Sequence, residues 1–230
     1  MTAPAVVGFF SFTEVTDPGG HRAYNEWHQL DHLVEQYSVP GIVHGERWVA
    51  SPDLRALWPA VEAPLDRVHY VTLYLVAEPV GETLEAFWAL GEELARQGRF
   101  IGGRRSHLSG PFDVVGRTAA ARARVSPEVL PFRPGSGVVV VVEDPAREVP
   151  GGVGAGLEGL EGVAGVWTFD AREDRSGRWT SGGERITVGY LDDDPAGACL
   201  ALAGRLGGRR PRLAGAFGTI RPGEWDWFSP

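Results

Sequence analysis

The chain contains an eleven-residue segment twice. Gly102-Gly103-Arg104-Arg105-Ser106-His107-Leu108-Ser109-Gly110-Pro111-Phe112 returns as Gly207-Gly208-Arg209-Arg210-Pro211-Arg212-Leu213-Ala214-Gly215-Ala216-Phe217, with seven positions identical. A long internal repeat restricts the fold more than local propensity does, because each copy must meet the same structural demand. The copies are unequal in chemistry. All six histidines lie at or before His107, so imidazole chemistry belongs to the first copy alone.

The hydrophobic pattern around the repeat has a matching rhythm. Val6 to Val15 reads as a strand ahead of the turn Asp17-Pro18-Gly19-Gly20. Residues 21 to 38 read as a helix with Trp27, Leu30, Val34 and Tyr37 on an apolar stripe, stopped by Pro40-Gly41. Strands follow at Ile42 to Ala50 and His69 to Ala77, a helix at Leu84 to Gln97, and a strand near Phe112 to Arg117. The order is βαββαβ, the ferredoxin-like unit. It returns as Gly137 to Glu143, a weak glycine-rich helix at 153 to 161, Val163 to Ala171, Ile186 to Leu191, Ala198 to Leu206 and residues 213 to 221. The expected class is α+β, with a first unit at 1–117, a linker at 118–136 and a shortened second unit at 137–230. A single such unit leaves one sheet face bare. Two units in one chain cover each other, so an intramolecular α+β barrel is predicted, either as a monomer with an internal pseudo-dimer or as a homodimer.

Composition removes several functions. No lysine is present, which excludes Schiff-base and lysine general-base chemistry. A net charge of −8 without a basic stripe argues against nucleic acid as a partner. The Arg104-Arg105 and Arg209-Arg210 pairs read as turns before strands. No apolar run reaches the roughly 18 residues that span a bilayer, so no membrane partner is expected. The start, Met1-Thr2-Ala3-Pro4, lacks the basic flank of a secretory signal, and a cytoplasmic location is expected. The single cysteine, Cys199, lies in an apolar helical run and reads as a core residue. The run Gly151-Gly152-Val153-Gly154-Ala155-Gly156 lacks the strand-turn-helix context of a dinucleotide loop and reads as a loose helix start.

The densest chemistry is in Tyr24 to Leu33. On a helix Tyr24, His28, Asp31 and Glu35 share a stripe with His32 beside it, away from the apolar stripe. That places them in solvent or at a pocket mouth. His32 is the candidate general base or acid, with Asp31 or His28 orienting it. His28 and His32 also stand at metal-ligand spacing with Glu35 as a third donor, but Gln29 follows His28, so the zinc-protease signature is missing and no metal is expected. On the second strand His44, Glu46 and Trp48 alternate with Arg47. The first three suit a polar pocket; Arg47 suits an oxyanion or a structural ion pair. On the third strand Tyr70, Thr72 and Tyr74 share a face that suits an aromatic ligand or ordinary core packing. Tyr24, Trp27, His44, Trp48, Tyr70 and Tyr74 are the candidate substrate contacts. His107 aligns with Arg212 and is expected to be exposed.

Trp27 with His32-Leu33, then Pro40-Gly41-Ile42, then Arg47-Trp48, resembles the EthD-like branch of the dimeric α+β barrel superfamily. Members often carry proline after His-Leu, where this chain has Val34. The resemblance covers about residues 21 to 50 by motif and the remainder by element order. It implies a fold shared by polyketide cyclases, cofactor-free monooxygenases, lactone isomerases, dehydratases and haem enzymes. Tandem members that hold haem use a histidine of the second unit, which this chain lacks. The resulting expectation is a cofactor-independent enzyme moving protons on an apolar aromatic or polyketide-like small molecule: a cyclase, dehydratase, isomerase or lyase. His32, Asp31, His28 and Arg47 would be its catalytic groups. The alternatives are a cofactor-free monooxygenase and a non-catalytic binding barrel.

Overall fold

A computed structural model describes residues 4–147, 153–173 and 177–228. Met1 to Ala3 and the glycines Gly151 and Gly152 lie outside the described residues. The first half runs β1 (Val7–Val15), α1 (His21–Trp27), α2 (Leu33–Gln36), β2 (Ile42–Val49), α3 (Pro52–Ala56), β3 (Ala60–Val61), β4 (Tyr70–Val76), α4 (Val80–Arg96) and β5 (Arg104–Ala119). The second half runs β6 (Gly137–Glu143), β7 (Val163–Ala171), β8 (Arg185–Leu191), α5 (Pro195–Arg205) and β9 (Leu213–Thr219).

Hydrogen-bonded neighbours follow the order β2-β4-β1-β5-β7-β8-β6-β9, and β2 pairs back onto β9 through Trp48 with Thr219 and Val49 with Gly218. The result is a closed antiparallel barrel of eight strands, with β3 a short extension on β9. Closure removes every long sheet edge. Within each half the order of the four strands is the same: second, third, first, fourth.

Alternation along each strand sorts side chains between two environments. Phe10, Phe12, Trp48, Leu73, Leu75, Phe112, Phe169 and Phe217 point inward and are buried in one continuous cluster. The barrel lumen is therefore a packed core with no room for a ligand. The outward faces differ between halves. Val139, Val141, Ala214 and Ala216 lie under Ala198, Cys199 and Leu202 of α5, a close-packed layer. Cys199 is fully buried there and its thiol pKa is raised by that burial. In the first half the outward residues include Ser11, Thr13, Thr72 and Tyr74, and the helices stand off from them.

The repeat occupies the last strand of each half, β5 and β9. Leu108 and Phe112, like Leu213 and Phe217, are buried in the barrel cluster. Gly103 and Gly208, at matching positions, hold φ of +69° and +82°, which favours glycine. Gly110 and Gly215 admit close neighbours: a Cβ at Gly110 would lie 2.5 Å from Ser181 Oγ, and one at Gly215 would lie 2.4 Å from Trp58 Cδ1. The shared residues are thus turn and packing requirements.

Several expected elements differ. The strand expected near Phe112 to Arg117 is a sixteen-residue strand that begins at Arg104, because it pairs with β1 over its first part and β7 over its second. The weak helix at 153 to 161 is a 3-10 segment, Gly154–Gly159. The proposed linker contains the end of β5 and two 3-10 segments, Ala121–Ala123 and Pro127–Phe132. Most consequential is residues 21 to 38. They are helical, but His28–His32 forms a π-turn between α1 and α2, and the segment presents the opposite face from the one predicted. Leu30, Val34 and Tyr37 are exposed, at 71%, 58% and 50%, while Tyr24, Asn25, His28 and Gln36 are buried. No helix among the described residues is long and apolar enough to cross a membrane.

Candidate functional site

Between the outward face of β1, β4 and β5 and the helices α1, α2 and α4 lies a cavity of about 320 Å³. Pockets that take small organic ligands measure about 300–1,000 Å³, so this one suits a compact ligand. Its walls are mainly aromatic: Phe9, Tyr24, Trp27, Tyr74, Phe87, Trp88, Phe100 and Trp179. Polar groups enter from the helix side as His28, His32 and Gln36, and from the sheet side as Ser11, Thr72, Arg104 and Ser106.

The inverted helix explains why the histidines face inward. His21, Tyr24, Asn25, His28, His32 and Gln36 recur at three- and four-residue intervals and turn toward the sheet. The wide π-turn, a form common at functional sites, carries both cavity histidines. Trp27 flanks them; its Nε1 donates to the Arg99 carbonyl at 2.7 Å, and His32 stacks on its ring at 4.5 Å. Phe100 meets His32 edge-on at 5.4 Å.

Both imidazoles are held neutral. Burial pushes the His28 pKa well below its ordinary range, aided by the Arg47 charge. Burial and the Arg104 guanidinium lower that of His32 to about 4, against a partial upward pull from Asp31. The Nδ1 atoms of both are buried without a hydrogen-bond partner, as are Gln36 Oε1, the Tyr74 hydroxyl and Arg104 Nε. Buried polar atoms are nearly always paired, and such a gathering marks a place where a ligand or water completes the bonding. Burial also pushes the Tyr74 phenol well above its ordinary range, so it stays protonated.

Behind the cavity wall is a second polar layer. Arg47 extends from β2 beneath α1, 4% exposed, between the rings of Tyr24 and Tyr70 at 5.1 and 5.0 Å. Its Nη2 donates to Asn25 Oδ1 at 2.5 Å, and Asn25 Nδ2 donates to the Tyr70 hydroxyl at 2.8 Å. That hydroxyl also bonds His21 Nδ1 at 3.0 Å. The chain end closes over this layer: Gln29 Nε2 donates to the Glu224 carbonyl at 2.8 Å, and Phe228 stacks on His21 at 4.0 Å.

Of the residues predicted from the sequence, His28, His32, Tyr24, Trp27 and Tyr74 line the cavity, and Tyr70 supports it from behind. Asp31 does not orient His32. It turns away to Arg99, which donates to both its oxygens at 2.9 and 3.1 Å and also to Glu35. Glu35 is therefore not a third ligand beside the histidines, and among the described residues no group of three His, Cys, Asp or Glu side chains is placed to hold a metal ion. His44, Glu46 and Trp48 do not line this cavity. Trp48 is buried in the barrel core, Glu46 stands beside Leu130 and Tyr190, and His44 lies 4.8 Å from Phe132. Arg47 reaches neither the cavity surface nor an acidic helix residue. His107 is not exposed: its side chain is 6% accessible and Nε2 lies 2.7 Å from Glu14 Oε2. The second half carries no histidine, and the described residues under α5 are close-packed.

Sequence patterning alone does not mark Arg104, Asn25, Gln36, Phe100 or Trp179 as site residues. Arg104 opens β5 and reaches the cavity, its guanidinium 5.5 Å from the Trp27 ring and 4.5 Å from that of Phe100. Its occurrence in both copies of the repeat pointed to architecture, and only the cavity distinguishes it from Arg209.

Compared with protein-family models and with curated proteins, the sequence matches none. Among solved structures, the chlorite dismutase-like protein TA0507 aligns over 94% of this chain and 95% of its own, with a TM-score of 0.50 at 9% identity. An anthrone oxidase-like protein covers 96% of this chain and 94% of its own, at TM-score 0.49 and 16% identity. HapK from Hahella chejuensis aligns with 50% of this chain over 98% of its own length, at TM-score 0.34 and 16% identity. The fold defined here, a closed antiparallel barrel with helices packed outside it, is the α+β barrel. The first of these structures is similar to the chain in that fold.

Proposed function

We propose that the chain is a cofactor-independent enzyme that moves protons on a small aromatic or polyketide-like substrate, built as a tandem of two ferredoxin-like units in the EthD-like branch of the α+β barrel superfamily. The observation that carries this reading is the pair of neutral imidazoles, His28 and His32, whose Nδ1 atoms are buried and unpartnered in an aromatic cavity. A neutral imidazole accepts a proton, and a low-dielectric aromatic wall keeps water from competing.

In the proposed step His32 takes a proton from a carbon next to a carbonyl. The C–H electron pair becomes the new C=C bond and the carbonyl π electrons move to oxygen. The developing oxyanion meets the Arg104 guanidinium, which presents fixed positive charge at the cavity wall. The imidazolium then returns its proton, either to another carbon, giving isomerisation, or to a departing hydroxyl, giving water and a dehydrated product. His28, next to His32 at a ring separation of 5.3 Å, is the second acceptor within the site.

The test is deuterium uptake. Enolisable aryl ketones in deuterated buffer exchange their α-protons, and the wild-type chain should accelerate this. His32→Ala should lower the acceleration by about 10²–10⁴-fold, the usual contribution of a positioned base. Unchanged exchange in a folded His28→Ala/His32→Ala double variant would refute the mechanism.

A further inference from the structure

The cavity is electrostatically one-sided. The Arg104 guanidinium forms no ion pair or hydrogen bond among the described residues, and its Nε is buried without a partner. Arg47, in the layer behind, meets neutral partners, the Asn25 amide and the Tyr24 side chain, and its Nε and Nη1 are also buried and unpartnered. Both arginines act on the same groups: each lowers the His28 and His32 pKa values and that of the Tyr74 phenol. The acidic side chain in the cavity lining, Glu92, is exposed and accepts a hydrogen bond from Trp88 Nε1 at 2.7 Å. The nearby acids Asp31 and Glu35 are drawn outward to Arg99. The histidines contribute no negative charge. The Arg104 guanidinium thus faces the apolar space, with the Arg47 charge behind its wall, and neither is paired with a carboxylate among the described residues. Burying an uncompensated cation is costly, and a ligand that supplies the missing negative charge recovers that cost on binding.

We infer that the cavity is a binding site for planar aromatic anions, with the anionic oxygen, a carboxylate or an ionised phenol, on Arg104 and the rings among Phe9, Phe87, Trp88 and Tyr74. This deepens the reading above, because it names the substrate class of the same cavity, but it depends on Arg104 rather than on the histidines. The Arg104 fork suits the planar oxygen pair of a carboxylate or a single phenolate oxygen. The same guanidinium rests on Trp27 and Phe100, so it is partly desolvated before the ligand arrives.

The experiment is calorimetric titration of the full chain at pH 7.5 with three probes: 2-naphthoate, 2,4-dinitro-1-naphtholate and the uncharged 2-naphthamide. At least one anion should bind about tenfold or more tightly than the amide, the preference expected when a charge-assisted hydrogen bond is at stake. Arg104→Met should remove that preference while leaving amide affinity within about twofold, and Arg104→Lys should keep part of it, since the charge remains but the fork and its stacking on Trp27 and Phe100 are lost. Arg105→Met, which removes the exposed neighbouring cation, should change neither. The inference is overturned if the amide binds as well as both anions, if the preference survives in folded Arg104→Met, or if Arg105→Met removes it equally. A preference that persists in His28→Ala/His32→Ala, with no proton exchange detected in the wild type, would keep this site while ending the catalytic reading.

Discussion

The neutral histidines make the fold sensitive to mild acid, and His32 gives the effect a number. In the unfolded chain its pKa returns to the ordinary 6.5, whereas the folded value is about 4. Between those values the unfolded state binds the extra proton, so stability falls as pH falls. The contribution is intact above pH 6.5, declines below it and is lost by pH 4. Integrating the two titrations from pH 7 to pH 5 gives about 2 kcal/mol from this one residue. Urea denaturation followed by tryptophan fluorescence, for wild type and His32→Gln at both pH values, isolates it, because all other titrating groups are common to both chains. Wild type should lose about 2 kcal/mol more than the variant, a midpoint difference of roughly 1 M at a slope near 2 kcal/mol/M. Equal losses in the two proteins would refute the burial and charge argument for His32, and with it the neutral-base premise.

Other outcomes follow from the same geometry. Asn25→Ala removes the hydrogen bond from the buried Arg47 to the Asn25 amide and should destabilise the chain by about 3 kcal/mol, read as a urea midpoint shift; a loss under about 0.5 kcal/mol would show that Arg47 finds another partner. Leu30→Ser with Val34→Ser alters a helix face in solvent and should change stability by no more than about 0.5 kcal/mol per site, measured in the same assay. Phe228→Ala uncovers His21, whose pKa burial now lowers to about 4, so its imidazole titration by NMR should move up toward 6.5. In a turnover assay the acidic limb of kcat/KM should lie near pH 4, and Arg104→Met should move it to higher pH, because a positive neighbour that disfavours protonation of His32 is gone.

Much of the architecture was legible because strands advertise themselves. The alternating Val6 to Val15, the valine run before Glu143 and the repeat at β5 and β9 all place apolar side chains against a single packed lumen. The order of the strands, and with it a closed antiparallel barrel, needed nothing more. The helix that carries the site misled for a physical reason. Its apolar stripe, Leu30, Val34 and Tyr37, was assigned to the core on the rule that apolar faces turn inward, yet a helix that roofs a cavity turns inward the face that serves the ligand. The π-turn leaves no propensity signature. Arg104 was hidden by its own repetition, and Asp31 was credited to His32 by adjacency, when Arg99, sixty-eight residues away, holds it. The signal that would have found Arg104 is a charge balance around the cavity, which exists only once the chain is folded.

The closure of the barrel has a mechanical consequence. On one side the halves are joined by the long β5–β7 ladder, from Phe112 with Ala171 to Ala119 with Gly165. On the other the β2–β9 ladder is two pairs long, Trp48 with Thr219 and Val49 with Gly218, and β3 adds Ala60 with Ala214 and Val61 with Leu213. The β2–β9 ladder is thus the shorter of the two seams that close the barrel, and fewer ladder hydrogen bonds hold it than hold β5 to β7. Arg47 is the residue before it on the same strand, and the segment that leaves β9 folds straight over α1 to place Phe228 against His21. The short β2–β9 seam and the support of the cavity are therefore one piece of structure. Whatever loosens the seam slackens the roof, and a ligand that tightens the roof should slow amide exchange along Trp48 and Val49.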